Sequence, residues 1–111
     1  DNIEEIRIEG HTDSSGPSNG SNPERDYFYN MSLSQDRTRS VLEYSLSKLE
    51  TGEIKRWVQK RLTANGISSS KIITHPDSEE EDKIASRRVE FKVRTNAEQQ
   101  IQEMLKYSIQ R

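Results

Sequence analysis

The sequence contains no cysteine among its 111 residues, and few prolines (3) or aromatic residues (6%). Without cysteine, the chain has no disulfide bond, no thiolate nucleophile and no zinc–thiolate site. Only 29% of the residues are hydrophobic, against roughly 45–50% in an average soluble domain. No apolar run approaches the roughly 18 residues that indicate a membrane-spanning helix.

An excess of charge of one sign is also missing, because 17 Lys and Arg nearly balance 19 Asp and Glu. Nucleic-acid-binding domains usually carry a marked basic excess, so this class is disfavoured. Disordered chains usually combine low hydrophobicity with a large net charge, and here the net charge is only −2. We therefore expect a single folded domain over residues 1–111, with a thin core. Because the chain begins without Met and almost on a strand, we expect a fragment of a longer membrane-anchored protein.

Hydrophobic periodicity predicts the order strand, helix, helix, strand, strand, helix. Ser34 is the expected N-cap of the first helix and Gly66 the expected C-terminal cap of the second. The strongest strand signal is 87–95, where Val89, Phe91 and Val93 alternate with charged residues. The predicted strands are 3–9, 71–75 and 87–95, and the predicted helices are 34–49, 51–66 and 97–109. This order favours an α/β (α+β) two-layer sandwich, a mixed sheet covered by amphipathic helices.

Two segments between these elements are predicted to be loops. Residues 14–29 are rich in Ser, Gly, Asn and Pro and predict a long loop. Its aromatic end, 27–29, either anchors the loop on the domain or offers a contact surface. Residues 76–86 are acidic and are predicted to form a solvated surface loop. The last helix carries an apolar stripe that packs either on the sheet or against another chain (Ala97, Ile101, Met104, Leu105, Ile109).

The segment "IEGHTDSSG" sets His11, Thr12 and Asp13 at the end of the first strand. A catalytic triad is disfavoured because no GxSxG turn is present. A metal site is disfavoured because the two histidines lie far apart and no HExxH or calcium-loop motif occurs. A third possibility is a recognition pocket. There Asp13 receives an ammonium group while Arg37, at a helix start with free amides, receives a carboxylate. In the alternative, Asp13 and Arg37 pair with each other, and spacing alone does not decide between the two.

Three blocks of sequence, in order, resemble a known family. "IRIEGHTDSSG", "NMSLSQDRTRSVLEYSL" and "SRRVEFKV" are similar to the C-terminal peptidoglycan-binding domain of outer-membrane protein A, the peptidoglycan-associated lipoprotein and the flagellar stator protein MotB. The blocks cover about a third of the chain, and with the intervening helices the likeness extends over nearly all of it. The resemblance implies a non-catalytic domain, without cofactor, that grips the diaminopimelate of the peptidoglycan stem peptide.

Carried over by position, the resemblance implies a ligand-binding site of six residues. Asp13 would receive the ammonium of diaminopimelate and Arg37 its carboxylate. The other members would be Ser15, Asn30, Leu33 and Arg87. His11 and Thr12 would brace the loop instead of touching the ligand.

The sequence also departs from the family pattern. Ser86 replaces the usual Asn before the Arg pair, Asp36 precedes Arg37 and could compete for its guanidinium, and the loop at 14–29 is unusually long. The family's first strand and helix have no counterpart here.

The resemblance implies a cell-wall anchor for an envelope or stator-type complex. We expect it in the periplasm, tethered to the inner or outer membrane by sequence outside this chain, and as a homodimer. The alternative is the same fold used for protein interaction or dimerisation without wall binding.

Overall fold

The computed structural model describes residues 2–110, with side chains described for residues 2–107. Three strands and four helices follow one another as β1 (Ile3–His11), α1 (Pro23–Ser47), α2 (Gly52–Gln59), β2 (Leu62–Ser68), α3 (Lys83–Ser86), β3 (Arg88–Thr95) and α4 (Ala97–Gln110). The strand order is β2-β1-β3, with β1 parallel to β2 and antiparallel to β3. The expected fold class is confirmed: an α+β domain with a mixed sheet and helices in a second layer.

The first helix begins at Pro23, eleven residues before the predicted start at Ser34. Asn22 is the N-cap, and its side chain accepts a hydrogen bond of 3.0 Å from the backbone N–H of Arg25. Proline at the first helical position suits its fixed φ and missing N–H. The predicted loop 14–29 was therefore wrong at its end, because residues 23–29 are helical. Ser34 lies buried in the helix interior.

The second strand also differs from the prediction. The second helix ends at Gln59, and residues 62–68, predicted to be helical up to a cap at Gly66, form β2. The predicted strand 71–75 is absent, since in that stretch only Thr74 forms an isolated bridge, with Glu81. Thr63, Asn65 and Gly66 are poor helix formers, so pairing with β1 prevails over continuation of the helix.

A pair of glycines brings α1 close to the sheet. Gly10 of β1 and Gly66 of β2 are paired in register. An added Cβ at Gly10 would lie 2.7 Å from Thr38 Cγ2, and one at Gly66 would lie 2.7 Å from the backbone N of Gln35. The Ser34 hydroxyl accepts a 3.1 Å hydrogen bond from the N–H of Ser68, which ties the helix to the end of β2. These contacts fix α1, and with it the side chains on its free face.

The α1 layer covers β1 and β2 but leaves β3 open. Ile8 is fully buried, whereas its cross-strand partner Phe91 is 57% exposed. Val89 and Val93 flank Phe91 on the same face and are also exposed. The alternation predicted for 87–95 is therefore present, but its apolar face lies outside the core.

Within the described residues, the last helix has no extensive packing contact with another element. The radius of gyration is 18.6 Å, against about 13 Å for a compact chain of this size. Ile101, Met104 and Leu105 are exposed, so this stripe does not pack on the sheet, while the Ile109 side chain lies outside the described residues. No helix in the described part of the chain has the length and apolar character needed to cross a membrane.

Candidate functional site

A cavity of about 460 Å³ lies between the loop after β1, one face of α1, and α3 with the residue that follows it. All six residues expected to bind ligand line it, although their role in binding stays a prediction. The lining consists of Asp13, Ser15, Gly16, Pro17, Tyr29, Asn30, Leu33, Arg37, Lys83 and Arg87.

Asp13 is nearly buried, and the backbone around it is held in place. Its Oδ1 accepts a 2.9 Å hydrogen bond from the N–H of Ser15, and its Oδ2 lies 3.4 Å from Nη1 of Arg87. Thr12 donates its hydroxyl proton to the Asp13 carbonyl and its N–H to the Ser68 carbonyl. These two hydrogen bonds of Thr12 hold the backbone of the loop in place, as expected for a residue that braces it.

Asn30 connects α1 to the loop. Its Nδ2 donates to the carbonyls of Asp13, at 3.3 Å, and of Ser15, at 2.8 Å. Asn30 is buried, and within the described residues its Oδ1 has no hydrogen-bond partner. The amide therefore shapes the loop with its donors and keeps an acceptor for a ligand ammonium.

Asp26 closes the far side of the same loop. Its carboxylate accepts hydrogen bonds from the hydroxyl of Ser18 at 2.7 Å, the N–H of Ser18 at 2.9 Å and the N–H of Gly20 at 3.2 Å. These bonds, the Ser18 hydroxyl first among them, hold the pKa of Asp26 below its usual value. An ionised Asp26 thus keeps residues 16–20 folded beside the cavity.

Arg37 reaches the cavity from the middle of α1, and the expectation that it opens a helix was wrong. Free amides at the helix start therefore do not contribute to an anion site at this position. Tyr29, Leu33 and Arg37 follow one another at i, i+4 spacing, so they share one helix face. Among the described residues, Arg37 makes no ion pair or hydrogen bond, either with Asp13 or with Asp36. The sequence left open whether Asp13 and Arg37 pair, and they do not.

Gly16, Pro17 and Lys83 were missed in the sequence, and Tyr29 was considered only as part of the aromatic end 27–29 of the loop. Tyr29 was placed in the loop, and its i, i+4 spacing to Leu33 would have revealed it once Asn22-Pro23 was read as a helix start. Lys83 and Arg87 are also four residues apart, but α3 has only four residues and little pattern to detect. Ser86, which replaces the family's Asn, is buried; its hydroxyl accepts a 2.8 Å hydrogen bond from the N–H of Ile73 and donates at 2.8 Å to the carbonyl of Asp82.

His11 lies on the opposite face of the sheet from α1 and does not line the cavity. Its Nε2 is 2.9 Å from Glu90 Oε2 and 3.4 Å from Glu9 Oε1. Burial lowers the pKa of His11, and the positive charge of Arg88 lowers it further. These three side chains have the spacing of a cation site, but Lys92 Nζ already lies 3.0 Å from Glu9 Oε1.

The same ammonium group decides the protonation of Glu9. Burial alone would raise the pKa of Glu9, but the hydrogen bond and charge of Lys92 bring it below its usual value. Arg88 lies 3.2 Å from Glu90 Oε2 in the same way. The cluster is therefore a set of ion pairs between β1 and β3.

The cavity is suited to holding a ligand that carries both charges. A carboxylate and a free guanidinium come from separate elements, and the amide of the buried Asn30 joins the loop to α1. A guanidinium binds a carboxylate through two parallel hydrogen bonds, whereas an aspartate accepts from an ammonium. This arrangement can orient an amino-acid group, and Asp13 and Asn30 are both held by hydrogen bonds to the loop backbone.

No protein-family model matches the chain. Over 105 residues, which make up 95% of the chain, the sequence is 44% identical to the Zorya protein ZorB of Escherichia coli. The chain spans 44% of the length of that relative. The similarity therefore covers nearly the whole domain described above, while more than half of the relative lies outside the match.

Proposed function

We propose that this domain is a non-catalytic peptidoglycan-binding module that grips the diaminopimelate of the stem peptide. The observation that carries the proposal is the cavity in which Asp13 and Arg37 stand on separate elements without pairing. Asp13 receives the ligand ammonium, together with Oδ1 of Asn30. Arg37 receives the carboxylate of the same amino-acid centre, and Leu33 and Ser15 contact the ligand between them.

Arg87 has a second task in this proposal. It lies 3.4 Å from Asp13 and its side chain is half exposed. Its guanidinium pairs with the Asp13 carboxylate until the ligand ammonium takes its place. The contact is long and the Arg87 side chain is half exposed, so the guanidinium can move aside towards solvent.

We further propose that the parent protein works in the periplasm and is tethered to a membrane by sequence outside this chain. In that place the domain would anchor an envelope or stator-type complex to the cell wall. The likeness to ZorB supports the proposal that the chain is part of a Zorya protein of the ZorB kind.

Co-sedimentation with purified diaminopimelate-type sacculi tests the function. We expect the domain to pellet with sacculi and free meso-diaminopimelate to release it. Arg37→Ala should weaken binding by about 2–5 kcal/mol, the usual loss when one side of a desolvated charge contact is removed. Because Arg37 is exposed and unpaired, the melting temperature should change little.

Arg39 is the matched control for this experiment. It lies on the same helix, and within the described residues its exposed side chain forms an ion pair with Glu43 alone. Arg39→Ala should leave pelleting unchanged. Wild-type protein that stays in the supernatant, or a large drop in melting temperature of Arg37→Ala with unchanged pelleting, would contradict the proposed function.

A second candidate function is dimerisation, favoured by the exposed stripe on α4. Ile101, Met104 and Leu105 form an apolar face that nothing in the described chain covers. We propose a second copy of the chain as its occupant, helix against helix. Light scattering should then give twice the monomer mass, and Leu105→Glu should reduce the measured mass to that of the monomer. A monomer at all concentrations would rule this out and leave wall binding unaffected.

A further inference from the structure

The cavity contains more positive charge than a single amino-acid centre needs. A zwitterionic centre is satisfied by one carboxylate and one cation. The lining has three cations, Arg37, Lys83 and Arg87, against the carboxylate of Asp13. Arg87 is the cation next to Asp13. Arg37 and Lys83 remain, and within the described residues neither makes a side-chain hydrogen bond or ion pair.

Lys83 stands where the main cavity meets a smaller one. The smaller cavity, of about 210 Å³, is lined by Ser14, Ser15, Gly16, Asn19, Gly20 and Lys83. It shares Ser15, Gly16 and Lys83 with the main cavity. The two therefore adjoin each other at the lysine. Lys83 is also the one charged residue in the lining of the smaller cavity, which otherwise offers hydroxyl, amide and backbone groups.

The position of Lys83 is fixed by its neighbours in sequence. Asp82 caps α3 by accepting a 3.0 Å hydrogen bond from the N–H of Ala85. Glu81 accepts hydrogen bonds from both the N–H and the hydroxyl of Ser14 in the site loop. The segment that carries Lys83 is thus attached directly to the loop that carries Asp13. The lysine stays at the junction of the two cavities even though its side chain is exposed.

We infer that the two cavities form one groove for a peptide, in which Lys83 binds a second carboxylate, on the residue next to diaminopimelate. This inference rests on the proposed function. In the stem peptide the preceding residue is a γ-linked glutamate, whose α-carboxylate lies beside the peptide bond to diaminopimelate. With the amino-acid centre held by Asp13 and Arg37, the groove leads the chain past Lys83. The ligand is then a peptide with free carboxylates on two successive residues.

Amidation of that glutamate is the chemical change that the inference singles out. Conversion of the α-carboxylate to an amide removes the charge and leaves the shape nearly unchanged. Binding of the amidated peptide should therefore be weaker, and its dependence on salt smaller, because one charge contact is lost. The groove would thus distinguish walls by the amidation of their stem peptides.

The experiment is calorimetry with L-Ala-γ-D-Glu-meso-diaminopimelate and its isoglutamine form, on wild type and Lys83→Gln. Wild type should bind the carboxylate form about 5- to 20-fold more tightly than the amide form, as expected for one partly solvated charge-assisted hydrogen bond. Lys83→Gln should bind the two forms equally, at the level of wild type with the amide. Lys83→Arg should keep most of the preference, and Lys106→Gln, on exposed α4, should keep all of it.

Further results distinguish an error in the assignment to glutamate from an error in the proposed function. If the second carboxylate belongs to the diaminopimelate itself, wild type will bind both forms equally, and extension of the peptide by D-Ala will weaken binding to wild type but not to Lys83→Gln; the assignment to glutamate is then wrong. Equal binding of both forms by wild type, or a preference that survives Lys83→Gln, overturns the inference while wall binding stands. Absence of binding of either peptide and of free meso-diaminopimelate overturns the proposed function together with the inference.

Discussion

Ile8 and Phe91 are neighbours across two strands, yet one is fully buried and the other is 57% exposed. Directly opposed residues of an antiparallel pair project from the same face of the sheet. The difference therefore comes from the helix layer, since α1 lies over β1 and β2 and stops short of β3. The half of the sheet under α1 is closed by small and polar residues. The half formed by β3 has the apolar residues and lacks a cover.

This contrast explains how a chain with so few hydrophobic residues keeps a rigid site. Under α1 the contact is made by Gly10, Gly66, Ser34 and Thr38, which allow close approach and satisfy backbone donors locally. The proposed binding residues lie on this closed half, on α1 and on the loop after β1. In the open half, β3 relies on its pairing with β1 and on ion pairs across the other face.

The largest effect should come from truncating the buried member of the pair. Ile8→Ala should lower the free energy of unfolding by about 2–5 kcal/mol, as for other buried Ile residues. Phe91→Ala should stay within about 1 kcal/mol, because its side chain loses little burial. Chemical denaturation of both variants measures the difference. Equal losses would mean that β3 is covered in solution, for example by a second copy.

A somewhat smaller loss should follow from closing the space between α1 and the sheet. Gly66→Ala places a methyl group 2.7 Å from the backbone N of Gln35, so the helix must shift. Overpacking of this kind costs about 1–3 kcal/mol. Gly20→Ala is not a matched control because of its positive φ of 87°, and Gly52→Ala, facing only the end of the Arg56 side chain, serves instead.

The same variant also tests the link from packing to function. Because Arg37 is carried by α1, displacement of the helix should weaken sacculus binding as well as stability. If Gly66→Ala lost stability but bound sacculi like wild type, the site would be independent of the register between helix and sheet.

The sequence predicted the fold class and the strands β1 and β3 because their patterns are strong and local. It failed at the start of α1, where Gly, Ser and Asn dominate the composition although Asn22-Pro23 is a good capping signal. It failed at β2, because residues 62–68 alternate poorly and owe their conformation to pairing with β1. Alternation does not predict the exposure of β3, because it shows that one face of the strand is apolar but not whether another element covers that face.

Six cavity residues were identified from the sequence by resemblance, because motifs that lie close together in the fold of a family are expected to do so in a chain that has them in the same order. Physical reasoning alone reached Asp13 and Arg37 and could not decide whether they pair. Lys83 lay beyond both approaches. It enters the cavity because Glu81 and Asp82 fix its segment to the site loop, and contacts between residues 14 and 81 leave no local pattern.

The smallest effect should be a pH dependence that extends the comparison to the other face of the sheet. There β1 and β3 are joined by His11 with Glu9, Glu90 and Arg88 around it. Burial and Arg88 lower the pKa of His11 in the folded protein, so below the usual histidine pKa of about 6.5 the unfolded chain binds more protons. Stability from the neutral imidazole is complete above that pH and falls as the pH drops towards the lowered pKa.

The melting temperature should therefore decrease between pH 7.5 and 5.5 in wild type and become flatter in His11→Gln. Glu9 and Asp26 also have lowered pKa values, but carboxyl groups lose their contribution only at more acidic pH, outside this window. His75→Gln is the control, since its exposed side chain leaves the buried cluster intact. A melting temperature that rose towards pH 5.5 would mean that Glu9 and Glu90 favour the imidazolium. The open half would then be held by a charged, not a neutral, histidine.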